Sequence, residues 1–99
     1  MAYPRVVEPI GVVTATLTVQ GTYSDPLAMH RGGFNFVVSG ISGDTVVLQR
    51  SQDGGSTWAD CSEYTVDGWY AGNEPEHGIK WRFGLKTASQ GTIIGRLSF

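Results

Sequence analysis

Asp53, Glu74, Glu76 and His77 are the side chains of this 99-residue sequence best suited by type to moving a proton or holding a cation. A carboxylate pair such as Asp53 and Glu74 is the equipment of glycoside hydrolysis, in which one group gives a proton and the other attacks or activates water. Such a pair works only across a shared cleft, and spacing along the chain does not supply one. The acidic turn N-E-P-E-H-G, residues 73–78, offers two carboxylates to a hard cation, whereas calcium takes about six to eight oxygens from a defined loop. His30 and His77 each lack companions at metal-ligand spacing and read as exposed loop histidines. Cys61 is the only cysteine, which excludes an internal disulfide. It sits in W-A-D-C-S-E, where acidic neighbours raise a thiol's pKa and leave it inert. No glycine-rich loop opens a helix as a phosphate cradle does. The residues therefore predict a non-enzymatic protein with no catalytic set, no metal and no cofactor.

Charge narrows the partners. A net charge of −2 offers no bulk attraction to nucleic acid or to an anionic bilayer. No stretch approaches a membrane-spanning length, and the N-terminal residues lack the pattern of a secretion signal, so the expectation is synthesis in the cytoplasm. Lys80, Arg82 and Lys86 form the one basic row. It reads as a solvated strand face, with an electrostatic docking stripe for an acidic partner as the alternative.

The elements that must carry these residues are strands. Apolar residues make up 40% of the chain and fourteen glycines punctuate it. Residues 1–11, M-A-Y-P-R-V-V-E-P-I-G, hold two prolines and read as an extended arm before a single domain over 12–99. From Val12 to Gln20, Val13, Ala15, Leu17 and Val19 alternate with threonines and Gln20, the pattern of a half-buried strand. Residues 21–33 read as a loop with one brief strand around Leu27-Ala28-Met29. Phe34–Ser39 and Thr45–Ser51 alternate across the turn G-I-S-G-D and are expected to form a hairpin. Short strands are expected over Thr57–Tyr64 and Tyr64–Tyr70, with Asp67-Gly68 as a tight turn. In Gly78–Thr87, Ile79, Trp81, Phe83 and Leu85 face one way and Lys80, Arg82 and Lys86 the other; a helix would scatter the four large groups. Thr92–Phe99 closes the chain with Ile93, Leu97 and Phe99 inward. Six to eight strands in a chain of this size predict an all-β fold, an antiparallel β-sandwich or small jelly roll with almost no helix.

One octapeptide stands out, S-Q-D-G-G-S-T-W, Ser51 to Trp58. It resembles the Asp-box of sialidases and other secreted β-proteins. The resemblance implies hairpin geometry, since the catalytic residues of those proteins lie outside the motif. Propellers that carry the motif need at least four blades of roughly 40–50 residues, more than this chain holds. Ser51, Asp53, Gly55, Thr57 and Trp58 are thus expected to build a turn: the carboxylate accepts backbone N–H groups and the glycines take positive φ.

The strings V-V-L-Q-R-S-Q-D-G-G-S-T-W, E-P-E-H-G-I-K-W-R-F-G-L-K-T and G-T-I-I-G-R-L-S-F, with T-A-T-L-T-V-Q-G-T-Y-S-D near the start, resemble small all-β proteins encoded among the structural genes of tailed bacteriophages. The matching segments are Val47–Trp58, Pro75–Thr87 and Arg96–Ser98, and the resemblance covers most of the chain. It implies a virion component, foremost a head decoration (cement) protein that binds the major capsid protein as a trimer on the capsid surface. A tail or head-to-tail component is the alternative within that class. Residues of the arm, Tyr3, Val6, Val7 and Ile10, are the expected clamp on a neighbouring subunit. About 300 Å² of apolar area at about 25 cal/mol per Å² grosses several kcal/mol before ordering costs. Trp69 and Tyr70 are the further candidate anchors, or else core. Exposed tryptophan and tyrosine on a sandwich also suit a carbohydrate-binding module, the reading from a different class.

Overall fold

The computed structural model describes residues 11–29, 31–87 and 91–99. Residues 1–10, where an extended arm is expected, His30 and residues 88–90 lie outside the described residues. Among the described residues eight strands follow one another: β1 Val12–Leu17, β2 Leu27–Met29, β3 Gly32–Ser39, β4 Val46–Ser51, β5 Ala59–Tyr64, β6 Gly68–Glu74, β7 Ile79–Leu85 and β8 Ile93–Ser98. They form two antiparallel sheets in the orders β1-β8-β3-β6 and β2-β7-β4-β5. The expected all-β sandwich is what forms, and this pair of strand orders gives it jelly-roll topology.

Alternation places the core. Phe34, Phe36 and Val38 of β3 are buried, as are Ile79, Trp81, Phe83 and Leu85 of β7, Val46 and Leu48 of β4, and Ile93 and Leu97 of β8. The sheets meet through aromatic rings: Phe36 lies 5.1 Å from Phe83 and Phe34 lies 4.7 Å from Trp81, both tilted. Two glycines make room for these rings. A Cβ on Gly95 would stand 2.5 Å from Phe83, and one on Gly72 would stand 2.4 Å from Phe34.

Pairing departs from the expectation in two places. β3 and β4 are not a hairpin: β3 pairs with β6 and β8 in one sheet, β4 with β5 and β7 in the other. The turn G-I-S-G-D crosses from layer to layer instead. Gly40 at φ +91 passes so close to β8 that a Cβ would meet the Thr92 carbonyl oxygen at 1.9 Å. The Asp67 carboxylate then accepts Gly40 N at 3.1 Å and Ile41 N at 2.8 Å. Asp67-Gly68 is likewise a crossing between sheets, and the strand expected over 64–70 runs over Gly68–Glu74. Gly68 is absent from the glycines of positive φ, so the expected tight Asp-Gly turn does not form there. Two core assignments also fail. Val19 lies beyond the end of β1 and is 59% exposed. Phe99 is 40% exposed, with its ring against Gly11 and its N–H donating to Gly11 O at 2.9 Å.

Candidate functional site

The octapeptide joins β4 to β5, among the described residues the one hairpin between consecutive strands. Asp53 Oδ1 accepts Thr57 N at 2.9 Å and Ser51 Oγ at 2.8 Å, and Asp53 Oδ2 accepts Thr57 Oγ1 at 2.5 Å. Ser51 Oγ in turn accepts Gly55 N at 2.9 Å, and Trp58 Nε1 donates to Gly55 O at 3.0 Å. Gly54 and Gly55 take φ of +78 and +103, as the turn requires. The Thr57 hydroxyl and amide and the Ser51 hydroxyl all favour the charged carboxylate, which titrates at about 2.

On the outer face of the β2-β7-β4-β5 sheet two members of the basic row, Arg82 and Lys86, are tied to neighbouring side chains. The Arg82 guanidinium lies 3.9 Å from the ring centroid of Tyr23 and 4.2 Å from that of Trp58. Its Nε donates to Gln49 Oε1 at 2.8 Å, and Gln49 Nε2 donates to Asp60 Oδ1 at 2.7 Å. Lys86 pairs with Asp60 at 3.2 Å and with Glu63. Gly84 lets Tyr23 reach this stack, since a Cβ there would stand 2.1 Å from the ring.

Glu74 sits between the sheets, fully buried at one end of the core. Arg50 Nε and Nη2 donate to its two oxygens at 2.7 and 2.8 Å. Trp81 Nε1 donates at 2.9 Å and Glu76 N at 2.9 Å. Because Glu74 belongs to one sheet and Arg50 and Trp81 to the other, the network pins the layers together. Arg50 outweighs the penalty of burial and holds Glu74 at about 2, while Glu74 raises Arg50 above its ordinary value. These partners already occupy both oxygens, so the 73–78 turn is not an open cation cradle. Among the described residues no group of three or more His, Cys, Asp and Glu could hold a metal. Asp53 and Glu74 are both held low, the opposite of what the proton donor of a glycosidase pair requires.

A shallow concavity of about 220 Å³ is lined by Arg50, Gln52, Thr57, Trp58, Ala59 and Cys61. Partial burial, followed by the charges of Asp60 and Glu74, pushes the Cys61 thiol up against the opposing pull of Arg50. Its nucleophilic thiolate is therefore scarce at neutral pH.

The other sheet presents a different surface. By register its outer face carries Thr14, Thr16, Ile94, Val37, Asn35, Trp69, Ala71 and Asn73, and Arg96 is the single charged strand residue on it. Trp69 is 75% exposed and Ile94 54% exposed. The neighbouring Tyr70 turns inward, its ring 4.3 Å from Tyr64 and its hydroxyl donating to Val66 O at 2.5 Å. The two candidate anchors thus part: Trp69 is surface and Tyr70 is largely structural. Tyr3, Val6, Val7 and Ile10 lie outside the described residues. Sequence reasoning missed Arg50, Tyr23 and Gln49, whose partners are distant in the chain. No family model, curated protein or solved structure matches this chain.

Proposed function

We propose that the protein is a bacteriophage virion component, foremost a head decoration protein that binds the major capsid protein and self-associates as a trimer. The observation that carries this reading is the contrast between its two outer faces. One is charged and has Arg82, Lys86, Asp60 and Glu63 tied into internal pairs and stacks. The other is almost uncharged and leaves Trp69 and Ile94 in water. An exposed tryptophan on a nearly charge-free sheet is the composition of a protein-binding surface, where aromatic anchors dominate the energy. The resemblance to small phage structural proteins over most of the chain supports the same reading, and jelly rolls recur in viral capsid domains, an analogy of fold. Tyr3, Val6, Val7 and Ile10 supply the second grip, and repetition over the lattice multiplies the strength of both through avidity. Localisation on the virion surface follows.

The test is to mix the full-length protein with undecorated heads of the phage that encodes it and measure co-sedimentation. A variant with Tyr3, Val6, Val7 and Ile10 all replaced by serine should bind less, and so should Trp69→Ser. Undiminished occupancy by both variants contradicts the reading. A carbohydrate-binding role is favoured only by the bare Trp69 ring, a single stacking platform. Binding on a glycan array that Trp69→Ser abolishes would favour it instead.

A further inference from the structure

An open strand edge presents unpaired N–H and C=O groups and invites another strand, so proteins shorten, charge, bulge or interrupt the edges they keep solitary. The two sheets here differ in this respect. In the β2-β7-β4-β5 sheet both edges are blocked. β2 has three residues and follows Pro26. β5 carries Asp60 and Glu63, and its register with β4 shifts between Leu48 and Gln49.

In the β1-β8-β3-β6 sheet neither edge is blocked in this way. β1 reads V-V-T-A-T-L and β6 reads G-W-Y-A-G-N-E, without lysine, arginine or proline. The one charge, Glu74, points inward to Arg50. The pairings β1–β8 and β3–β6 run without a register shift. Among the described residues no strand pairs with the outer side of β1 or β6. The two edges match in length, at six and seven residues. Each also carries core side chains that are only half-buried, Val13 and Ala15 on β1 and Tyr70 on β6.

Strand direction allows a second copy as the partner. Four antiparallel strands alternate in direction, so β1 and β6 run oppositely. The β6 of one copy set beside the β1 of the next continues the antiparallel alternation. We propose that copies of this chain join head to tail through this sheet, the β6 edge of one pairing with the β1 edge of its neighbour. Tyr70 then packs beside Val13 and Ala15 of the next copy, and Trp69 lies beside its threonines, an aromatic and β-branched pairing that strands favour. A two-fold β6–β6 contact would leave both β1 edges bare. Head-to-tail contacts close into rings when the rotation allows; the inference rests on the proposed function only for a ring of three.

Sedimentation velocity on the full chain tests this without any capsid. The wild type should form a discrete oligomer. Ala71→Lys on β6 and Thr14→Lys on β1, both at exposed positions, should each be monomeric with an unchanged β-type circular dichroism spectrum. Mixed, they should form only a one-to-one pair, since each retains one good edge. Amide exchange on the wild type gives a second measure: protection along β1 and β6 should rise with concentration, and protection along β5 should not. A monomeric wild type, concentration-independent exchange, or a Thr14→Lys variant that still dimerises would each overturn the proposal. Variants that fail to oligomerise yet bind heads like wild type leave capsid binding standing and remove its dependence on the ring. An oligomer that ignores heads overturns the function and leaves the edge contact.

Discussion

Replacing Arg50 with methionine strands a carboxylate between the two sheets. Glu74 is fully buried and accepts four hydrogen bonds, two of them from Arg50. Breaking a buried pair from one side costs about 3–5 kcal/mol, a large share of the roughly 5–15 kcal/mol that stabilises a domain. Glu74→Gln should cost less, about 1–3 kcal/mol, because it leaves no buried charge and Arg50 retains Glu76 at 3.0 Å. Lys86→Met breaks only half-exposed, solvent-screened pairs and should cost far less than either. The pH dependence separates these cases. In the wild type Glu74 titrates at about 2 when folded, against 4.5 ordinarily, so the unfolded chain binds the extra proton. Stability from this group is complete above 4.5 and is lost as pH falls through that window, in all about 3 kcal/mol. Without Arg50, burial raises the same pKa, and the variant loses stability as pH rises past 4.5. Urea unfolding of both proteins at pH 3 and pH 7 should show a wide gap at neutral pH that narrows in acid. A deficit below about 1 kcal/mol, or one equal at both pH values, would refute the assignment of Glu74 and Arg50 as the pin between layers.

Gly84→Ala should drive Tyr23 off Arg82, because the new Cβ would meet its ring at 2.1 Å. A loss of about 1–3 kcal/mol in a thermal melt and altered Trp58 fluorescence are expected, and an unchanged melt would contradict the stack. Asp53→Ala should leave the β4–β5 pairing intact while Gly55 and Thr57 amides exchange faster, since Ser51 and Thr57 lose their common acceptor. Carbon-detected titration of Asp53 should give a midpoint near 2, and a value near 4 would mean that the turn does not hold the carboxylate. Arg82→Lys should not restore what Arg82→Ala removes, because an ammonium cannot lie flat between Tyr23 and Trp58. Equal stability of wild type and Arg82→Lys in urea would argue against that.

Alternation made the layers legible. Ile79, Trp81, Phe83 and Leu85 were assignable to one face because a strand has a period of two, and all four are buried. Alternation does not say which strand lies beside which. G-I-S-G-D suits a hairpin as well as a crossing, and only the close approach of Gly40 to Thr92 decides. Trp69 and Tyr70 are adjacent and therefore point to opposite faces, so the pair could not act together as surface anchors. The Asp-box turn was readable because its bonds span four residues at most. Glu74 was not, because its partner Arg50 is 24 residues away and no local pattern joins them. The row Lys80, Arg82, Lys86 was visible as a row, while Tyr23, Trp58, Asp60 and Glu63, which occupy two of its members, come from other strands and loops.

The proposed role has this jelly roll grip a repeating protein shell through exposed apolar groups. The decisive measurement is electron cryomicroscopy of phage heads incubated with the full-length protein. Added density is expected at fixed lattice positions, with Trp69 facing a neighbouring subunit. Heads left bare under saturating protein, or density placed with Trp69 in open solvent and no contact from the arm, would contradict it.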